Sequence, residues 1–341
     1  MTIAVRPLEY RFSFHGVGLR YLTSSPTLRA SMAEWLKHFR GDGPTEGVSL
    51  TIHFEEAPGR DAVPLALSPA ARRLFSGTKP VMGSAMRALW QCDILQDGSH
   101  LVVDIHDQGL LDIDGAQGTA RGYFYHPAAM HQDRLEGFFH YALAELLKRN
   151  NMFTLHATAL EYHGRGLLIL GNTGCGKTTT LLSLLRSGYR YLSDDHPVLW
   201  DSGTRLELRA APMKIDVTEQ TIGFFPELRD AMSGLLRQGA YKKSFQLEDI
   251  YSDSAGRSCE PTMILFPHVT HMPHSCLEPL PKSRALELFM PEQSLVYDEE
   301  AAAREFQALS KLVQQAACYR LHFGQDVLDL PQLITPLLER H

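Results

Sequence analysis

The chain has 341 residues, of which 44% are hydrophobic and 21% are charged, and its formal net charge at pH 7 is −6. This length allows two domains, and the acidic balance without a Lys- or Arg-rich run argues against nucleic-acid binding. No apolar stretch approaches the ~20 residues that a membrane helix needs. The chain starts without the apolar core of a signal peptide, and its five cysteines lack C-x-x-C spacing, so we expect a cytoplasmic protein.

The amino-terminal part of the chain is rich in strand patterns. The predicted strands cover residues 9–23, 47–56, 101–105 and 122–125. A helix is predicted at 28–39 and a turn-rich segment at 112–118. We therefore predict a sheet-rich domain over residues 1–130, which serves substrate selection or assembly.

Residues 131–341 predict a second domain of mixed helices and strands. It opens with an amphipathic helix at 133–148, followed by a hairpin whose strand 153–160 turns at 163–166 into strand 167–170. Further strands are predicted to end at Asp195 and to cover 198–200, 205–209, 263–266 and 286–289, before a helix at 301–317.

A complete phosphate-binding loop of the Walker A form G-x-x-x-x-G-K-[ST] follows the hairpin. It reads Gly171-Asn172-Thr173-Gly174-Cys175-Gly176-Lys177-Thr178, with Thr179 next. A strand leads in and a helix leads out, so backbone N–H groups can surround phosphates while Lys177 reaches the β- and γ-phosphates. Because the Thr178 hydroxyl is placed to hold Mg²⁺, the loop predicts a nucleotide site with ATP and Mg²⁺ as its cofactors.

An acidic pair follows the loop at short distance. Asp194 and Asp195 stand 17 and 18 residues after Lys177, an interval that one helix and one strand fill. The carboxylates should therefore emerge beside the phosphates, where one can hold Mg²⁺ and the other can accept the proton of an incoming hydroxyl. A solvated Asp-Asp turn is the alternative interpretation.

His156 precedes Gly171 by 15 residues and lies in the predicted strand 153–160. The hairpin can return this side chain to the phosphate end of the sheet. Taken alone, a histidine in an apolar strand is more simply explained as a packed or surface residue.

Together, Leu155-His-Ala, the loop at 171–178 and Leu192-Ser-Asp-Asp195 resemble the catalytic core of the HPr kinase/phosphorylase superfamily. That group shares its fold with ATP-dependent phosphoenolpyruvate carboxykinase. The resemblance implies an α/β (α+β) protein with a P-loop kinase domain of the HPr kinase C-terminal type. It also implies that Asp195 is the base, with Asp194 and His156 near the metal or the γ-phosphate.

The resemblance is firm over about residues 153–200, with a looser likeness in the carboxy-terminal third, and indicates a relative of HPr kinases rather than a true HPr kinase. The loop ends in Thr178-Thr179 instead of Ser-Glu, and the amino-terminal domain shows no HPr kinase pattern. We expect the Glu-x-Arg-Gly signature to be missing, since Arg209-Ala-Ala-Pro-Met-Lys and Asp216-Val-Thr-Glu-Gln follow the acidic pair. HPr is therefore not the expected substrate, and phosphorolysis is unsupported.

The sequence thus predicts a kinase that transfers the γ-phosphoryl group of ATP to a hydroxyl of a peptide, a protein or a small metabolite. The predicted catalytic residues are Asp195, Asp194, His156 and Lys177, and the predicted metal ligands are Thr178 and Asp194. A nucleotide-sensing regulatory or assembly protein without phosphotransfer is the alternative. A carboxykinase-like reaction would need an arginine-rich acceptor pocket that we do not find, and homo-oligomerisation is left open.

Overall fold

The computed structural model describes residues 7–37, 49–80, 89–211, 213–232, 243–270, 272–290 and 298–341. The chain divides into two compact units, Met1–Asn150 and Asn151–His341. The predicted boundary at 130/131 lies earlier, because the helix Gln132–Leu147 packs its aromatic side chains on the sheet of the first unit. No helix of the described ranges is both long and apolar enough to cross a bilayer.

The described part of the first unit forms one mixed sheet and two α-helices. Its strands are β1 (Leu8–Phe14), β2 (Val17–Thr23), β3 (Leu50–Ala57), β4 (Arg72–Pro80), β5 (Leu89–Asp97), β6 (His100–Asp104), β7 (Gly109–Asp114) and β8 (Thr119–Tyr125). They lie in the order β1-β2-β3-β8-β7-β6-β5-β4, and β3 runs parallel to both of its neighbours. The helices are α1 (Pro26–Lys37) and α2 (Gln132–Leu147).

An aromatic core joins α2 to this sheet. Phe138 stacks on Trp90 with ring centroids 4.3 Å apart, and Phe139 meets Tyr21 edge-on at 5.5 Å. Alternate residues of β3 are buried, as expected for a strand with one face on a core. Burial of each such side chain contributes about 1.5–3 kcal/mol to the free energy of unfolding.

The second unit is built on one large sheet and a two-stranded sheet. Its strands are β9 (Met152–Thr154), β10 (Thr158–Tyr162), β11 (Arg165–Ile169), β12 (Arg190–Asp194), β13 (Val198–Asp201), β14 (Leu206–Arg209), β15 (Ile215–Val217), β16 (Lys243–Phe245), β17 (Ser258–Val269), β18 (Cys276–Pro279) and β19 (Ala317–Phe323). The large sheet has the order β12-β10-β11-β17-β14-β13-β9, with β19 paired to β17 and β18, whereas β15 pairs with β16.

Helices cover both faces of the large sheet. They are α3 (Lys177–Leu185), α4 (Glu219–Phe224), α5 (Pro226–Met232), α6 (Leu247–Ile250), α7 (Lys282–Phe289), α8 (Glu299–Gln315) and α9 (Leu330–Arg340). Met263 and Leu265 of β17 pack with α3 and α9, while Ile264 and Phe266 pack with α7 and α8. Strands buried on both faces are typical of parallel sheets between helices, and β17 runs parallel to β11 and β19.

The mixed α/β fold class is confirmed, together with the helix at 133–148 and the hairpin of β10 and β11. The predicted strand 286–289 is wrong. This segment ends α7, where Ala285 and Phe289 stand one helical turn apart and are both buried in the core beneath α8.

Candidate active site

The phosphate-binding loop connects the carboxyl end of β11 to the amino end of α3. Its tip, Asn172 to Gly174, is exposed, and the N–H of Cys175 donates to the Asn172 carbonyl at 3.1 Å. Gly176 begins the helix with a φ of 105°, and a Cβ there would lie 3.3 Å from the Phe323 ring. Only glycine fits this position without strain.

Lys177 is the predicted phosphate-binding cation. Its side chain is buried within the loop, and its Nζ donates to the carbonyl oxygen of Gly171. The ammonium group thus lies between the two ends of the loop. Phosphates bound at the helix N-terminus would contact it there.

Asp194 is the buried member of the acidic pair. It ends β12, and its carboxylate accepts hydrogen bonds from Thr158 Oγ1 at 2.5 Å and from Thr178 Oγ1 at 3.2 Å. Burial raises the pKa of Asp194 to about 7, and the neighbouring Asp195 adds to this rise, whereas the Thr158 hydrogen bond and the charge of Lys177 oppose it. The two predicted metal ligands therefore adjoin in space.

This donor set fits Mg²⁺. A hydroxyl and a carboxylate are hard oxygen ligands, and Mg²⁺ is usually held by one or two carboxylates together with substrate phosphates. Across the described ranges, no group of three or more His, Cys, Asp or Glu side chains is placed to hold a metal ion. A cation at Thr178 and Asp194 would therefore need further oxygens, which the phosphates of a nucleotide can supply.

Beside the loop, strand pairing between the antiparallel segments 152–162 and 190–201 is interrupted at one place. Thr158 pairs with Asp194 and Thr154 pairs with Val198, and the three residues between them on each segment leave the sheet. Here the Leu155 N–H donates to the Pro197 carbonyl at 2.9 Å. The predicted strand 153–160 is therefore two strands, β9 and β10, because each half pairs with a different part of the second segment.

His156 and Asp195 meet at this interruption. His156 Nε2 lies 3.8 Å from Asp195 Oδ1, and both side chains are almost half exposed, at 45% and 44%. Asp195 has a φ of 86°, a conformation that non-glycine residues adopt rarely and that Asp tolerates best with Asn. The acidic pair is thereby divided, with Asp194 buried at the loop and Asp195 open to solvent beside His156.

Sequence reasoning missed several residues that support this arrangement. Thr158, Tyr191 and Ser193 hold the acidic pair, and each was assigned only to a strand. Thr179 of the loop shares a 3.3 Å hydrogen bond with Thr221, which lies in the first turn of α4 and donates its N–H to the N-cap residue Thr218.

Part of the signature expected to be missing is present. Glu207-Leu-Arg209-Ala210 has the Glu and Arg of Glu-x-Arg-Gly, with Ala in place of Gly. Arg209 Nε donates to Glu207 Oε2 at 2.8 Å, and the guanidinium lies 3.8 Å from the centre of the Trp200 ring. This pair is largely buried on β14. The complete Glu-x-Arg-Gly signature is not in the sequence, but Glu207 and Arg209 have the spacing of its Glu and Arg.

Comparison with known proteins relates part of the chain to HPr kinase/phosphorylases, although no family model matches it. The chain is 30% identical over 95 residues to the HPr kinase/phosphorylase of Lactobacillus johnsonii, covering 28% of this chain and 29% of that protein. It is 33% identical over 73 residues to that of Latilactobacillus sakei, covering 21% and 22%. For the Exiguobacterium protein of this name, the identity is 34% over 64 residues, covering 19% and 21%.

The chain thus spans less than a third of the length of the curated relatives it matches. The solved structure of the Hpr(Ser) kinase/phosphatase from Coxiella burnetii gives a TM-score of 0.30 and 16% identity, covering 55% of this chain and 95% of that one. The partial sequence matches confirm the predicted relationship. The chain is an HPr-kinase-related protein, and these matches do not make it a true HPr kinase.

Proposed function

We propose that the protein is an ATP-dependent phosphotransferase that moves the γ-phosphoryl group of ATP to a hydroxyl acceptor. The observation that carries this proposal is the division of the acidic pair. Asp194 shares a hydrogen bond with Thr178 of the loop, whereas Asp195 stands beside His156 at the solvent-exposed side. A phosphoryl-transfer site needs both a metal-holding group and a group that receives the acceptor's proton.

Binding of ATP engages the loop. The backbone N–H groups between Gly171 and Thr178 surround the phosphates, and Lys177 exchanges its bond to the Gly171 carbonyl for the β- and γ-phosphates. Thr178 and Asp194 would hold Mg²⁺, and the bound ion would supply positive charge that offsets the negative charge of the phosphates.

Transfer takes place on the Asp195 side. Asp195 accepts the proton of the acceptor hydroxyl while that oxygen forms its bond to the γ-phosphorus and the bond to the β–γ bridging oxygen breaks, so that ADP leaves. His156 is close enough to orient the Asp195 carboxylate or the acceptor. Asp194 is unsuited to this task because its carboxylate is buried and already accepts two hydroxyl hydrogen bonds.

The acceptor class that we propose is a Ser of a peptide or protein, or a small hydroxylated metabolite. The exposure of His156 and Asp195 supports an acceptor that arrives from solvent, and the relatives are named for a kinase acting on the protein HPr. We assign substrate selection or assembly to the amino-terminal part of the chain.

The proposal is tested by incubating the protein with γ-labelled ATP, Mg²⁺ and candidate peptides, proteins and hydroxylated metabolites, followed by mass spectrometry. We expect one acceptor class to gain a phosphoryl group. Magnesium-dependent ATP binding without transfer to any acceptor would instead support a nucleotide-sensing regulatory protein.

A further inference from the structure

The turn after β12 has an unusual set of backbone hydrogen bonds. Three consecutive N–H groups each have their own acceptor. Asp194 donates to Tyr191 Oη at 2.8 Å, Asp195 donates to the Ala157 carbonyl at 3.0 Å, and His196 donates to Ser193 Oγ at 3.2 Å. Two of these acceptors are side chains of β12 itself.

Both hydroxyl groups are anchored on their other side. Tyr191 Oη donates to the Met213 carbonyl at 2.9 Å, and Ser193 Oγ donates to the Ala211 carbonyl at 2.7 Å. Tyr191 is 1% exposed and Ser193 is fully buried. Because each hydroxyl donates to one backbone group and accepts from another, its orientation is fixed by the protein rather than by solvent.

These bonds enforce a costly conformation. The φ of 86° at Asp195 persists only where the surroundings hold it, since such backbone is disfavoured for residues with a Cβ. Without this twist, the acidic pair would continue the alternation of a strand, and the sheet would have no interruption at His156. The Tyr191 and Ser193 hydroxyls therefore bind the backbone at the turn that sets the directions of the Asp194 and Asp195 side chains.

We propose that Tyr191 and Ser193 form a hydroxyl clamp that positions the acidic pair for metal and acceptor. The clamp works through the backbone of Asp194 and His196 and does not itself touch the nucleotide. This inference rests on the proposed function, because it assigns the clamp to the same site. Tyr191→Phe and Ser193→Ala each remove one clamp hydroxyl while preserving the rest of the side chain.

Tyr189→Phe is the matched control. Tyr189 is also 1% exposed, and its hydroxyl shares a 3.0 Å hydrogen bond with Thr335 Oγ1 in the same core, with no bond to the acidic pair. Both Tyr→Phe changes remove a buried phenol oxygen, so both should lower the melting temperature. Of these two variants, only Tyr191→Phe should change the effect of Mg²⁺ on ATP affinity.

The experiment measures ATP affinity by calorimetry with Mg²⁺ and with EDTA, well below each melting temperature. We expect Mg²⁺ to strengthen ATP binding to the wild type, and this enhancement to fall roughly tenfold in Tyr191→Phe and Ser193→Ala, as for other residues that orient metal ligands. Tyr189→Phe should keep the wild-type enhancement.

An unchanged enhancement in both clamp variants, or an equal fall in Tyr189→Phe, overturns the clamp while leaving the proposed function intact. If Tyr191→Phe does not fold, Ser193→Ala decides between these outcomes. A wild type whose ATP binding shows no dependence on Mg²⁺ overturns the proposed function, and the clamp fails with it.

Discussion

The hydroxyl of Thr178 lies 3.2 Å from Oδ2 of Asp194 and joins the first turn of α3 to the end of β12. Asp194 is 6% exposed, and burial is the main cause of the raised pKa of its carboxylate. Burying a charged carboxylate is costly to a fold, and such perturbed groups are concentrated at functional sites. Thr178 and Asp194 are therefore placed to bind a cation that arrives with the nucleotide.

The first prediction concerns this carboxylate. Asp194→Asn keeps the shape of the side chain and removes its charge, so Mg²⁺ should lose its strongest protein ligand. We expect the Mg²⁺-dependent gain in ATP affinity to fall by roughly 100-fold or more, because loss of a direct ligand should cost at least as much as the ~10–100-fold lost with residues that only orient ligands. Asp201→Asn is the control, because Asp201 ends β13 and pairs with Lys311 at 2.6 Å. An equal response of the two variants to Mg²⁺ would contradict the assignment.

Lys177→Ala tests the loop itself. Loss of one charge-assisted contact to phosphate should weaken ATP binding by about 2 kcal/mol, roughly 30-fold. Lys282→Ala is matched to it, since Lys282 Nζ also donates to a backbone carbonyl, that of Ala316, in another part of the unit. Fluorescence titration with a labelled ATP analogue compares the two. Similar affinities for both variants would count against the loop as the nucleotide site.

His156→Ala should slow turnover without changing ATP affinity. The contact with Asp195 is exposed and 3.8 Å long, so its contribution to stability should not exceed ~1 kcal/mol. We expect the rate of ATP turnover to fall about tenfold, which is less than the ~10²–10⁴-fold that a positioned acid–base group gives, because His156 orients the base rather than accepting the proton itself. His163→Ala, in the exposed turn of the β10–β11 hairpin, should behave as the wild type. A change in melting temperature that accounts for the loss of turnover would assign His156 a structural role instead.

The core of the first unit allows a stability prediction. Phe138 is fully buried and stacks on Trp90, so Phe138→Ala should lower the free energy of unfolding by about 3–5 kcal/mol. Phe306 on α8 is 49% exposed, so Phe306→Ala should change the free energy of unfolding by less than about 0.5 kcal/mol. Urea unfolding measures both. Equal midpoints would show that α2 does not depend on this aromatic contact.

Local patterns predicted the elements that carry the site. The apolar strand before Gly171, the helix after Lys177 and the hairpin turn at His163 all have signals within a few residues. The helix over 133–148 was equally clear, because its apolar residues recur at helical spacing. The sequence also identified the residues that the fold brings together, namely His156, Lys177, Thr178, Asp194 and Asp195.

The remaining features depend on partners far away in the chain. Leu286-Glu-Leu-Phe alternates like a strand, yet the segment is helical because Ala285 and Phe289 complete a core with α8. The interruption at His156 depends on β9 and β10 pairing with separate strands. The clamp hydroxyl of Tyr191 left no signal, since an aromatic residue in a strand predicts only a packed side chain.

The most direct test of the account is Asp195→Asn, because Asn tolerates the same backbone conformation and lacks only the basic carboxylate. Phosphoryl transfer from γ-labelled ATP and Mg·ATP affinity are measured side by side on the wild type and this variant. We predict that transfer falls by about 10²–10⁴-fold while affinity changes little. Wild-type transfer by Asp195→Asn would contradict the central claim that this carboxylate accepts the acceptor's proton.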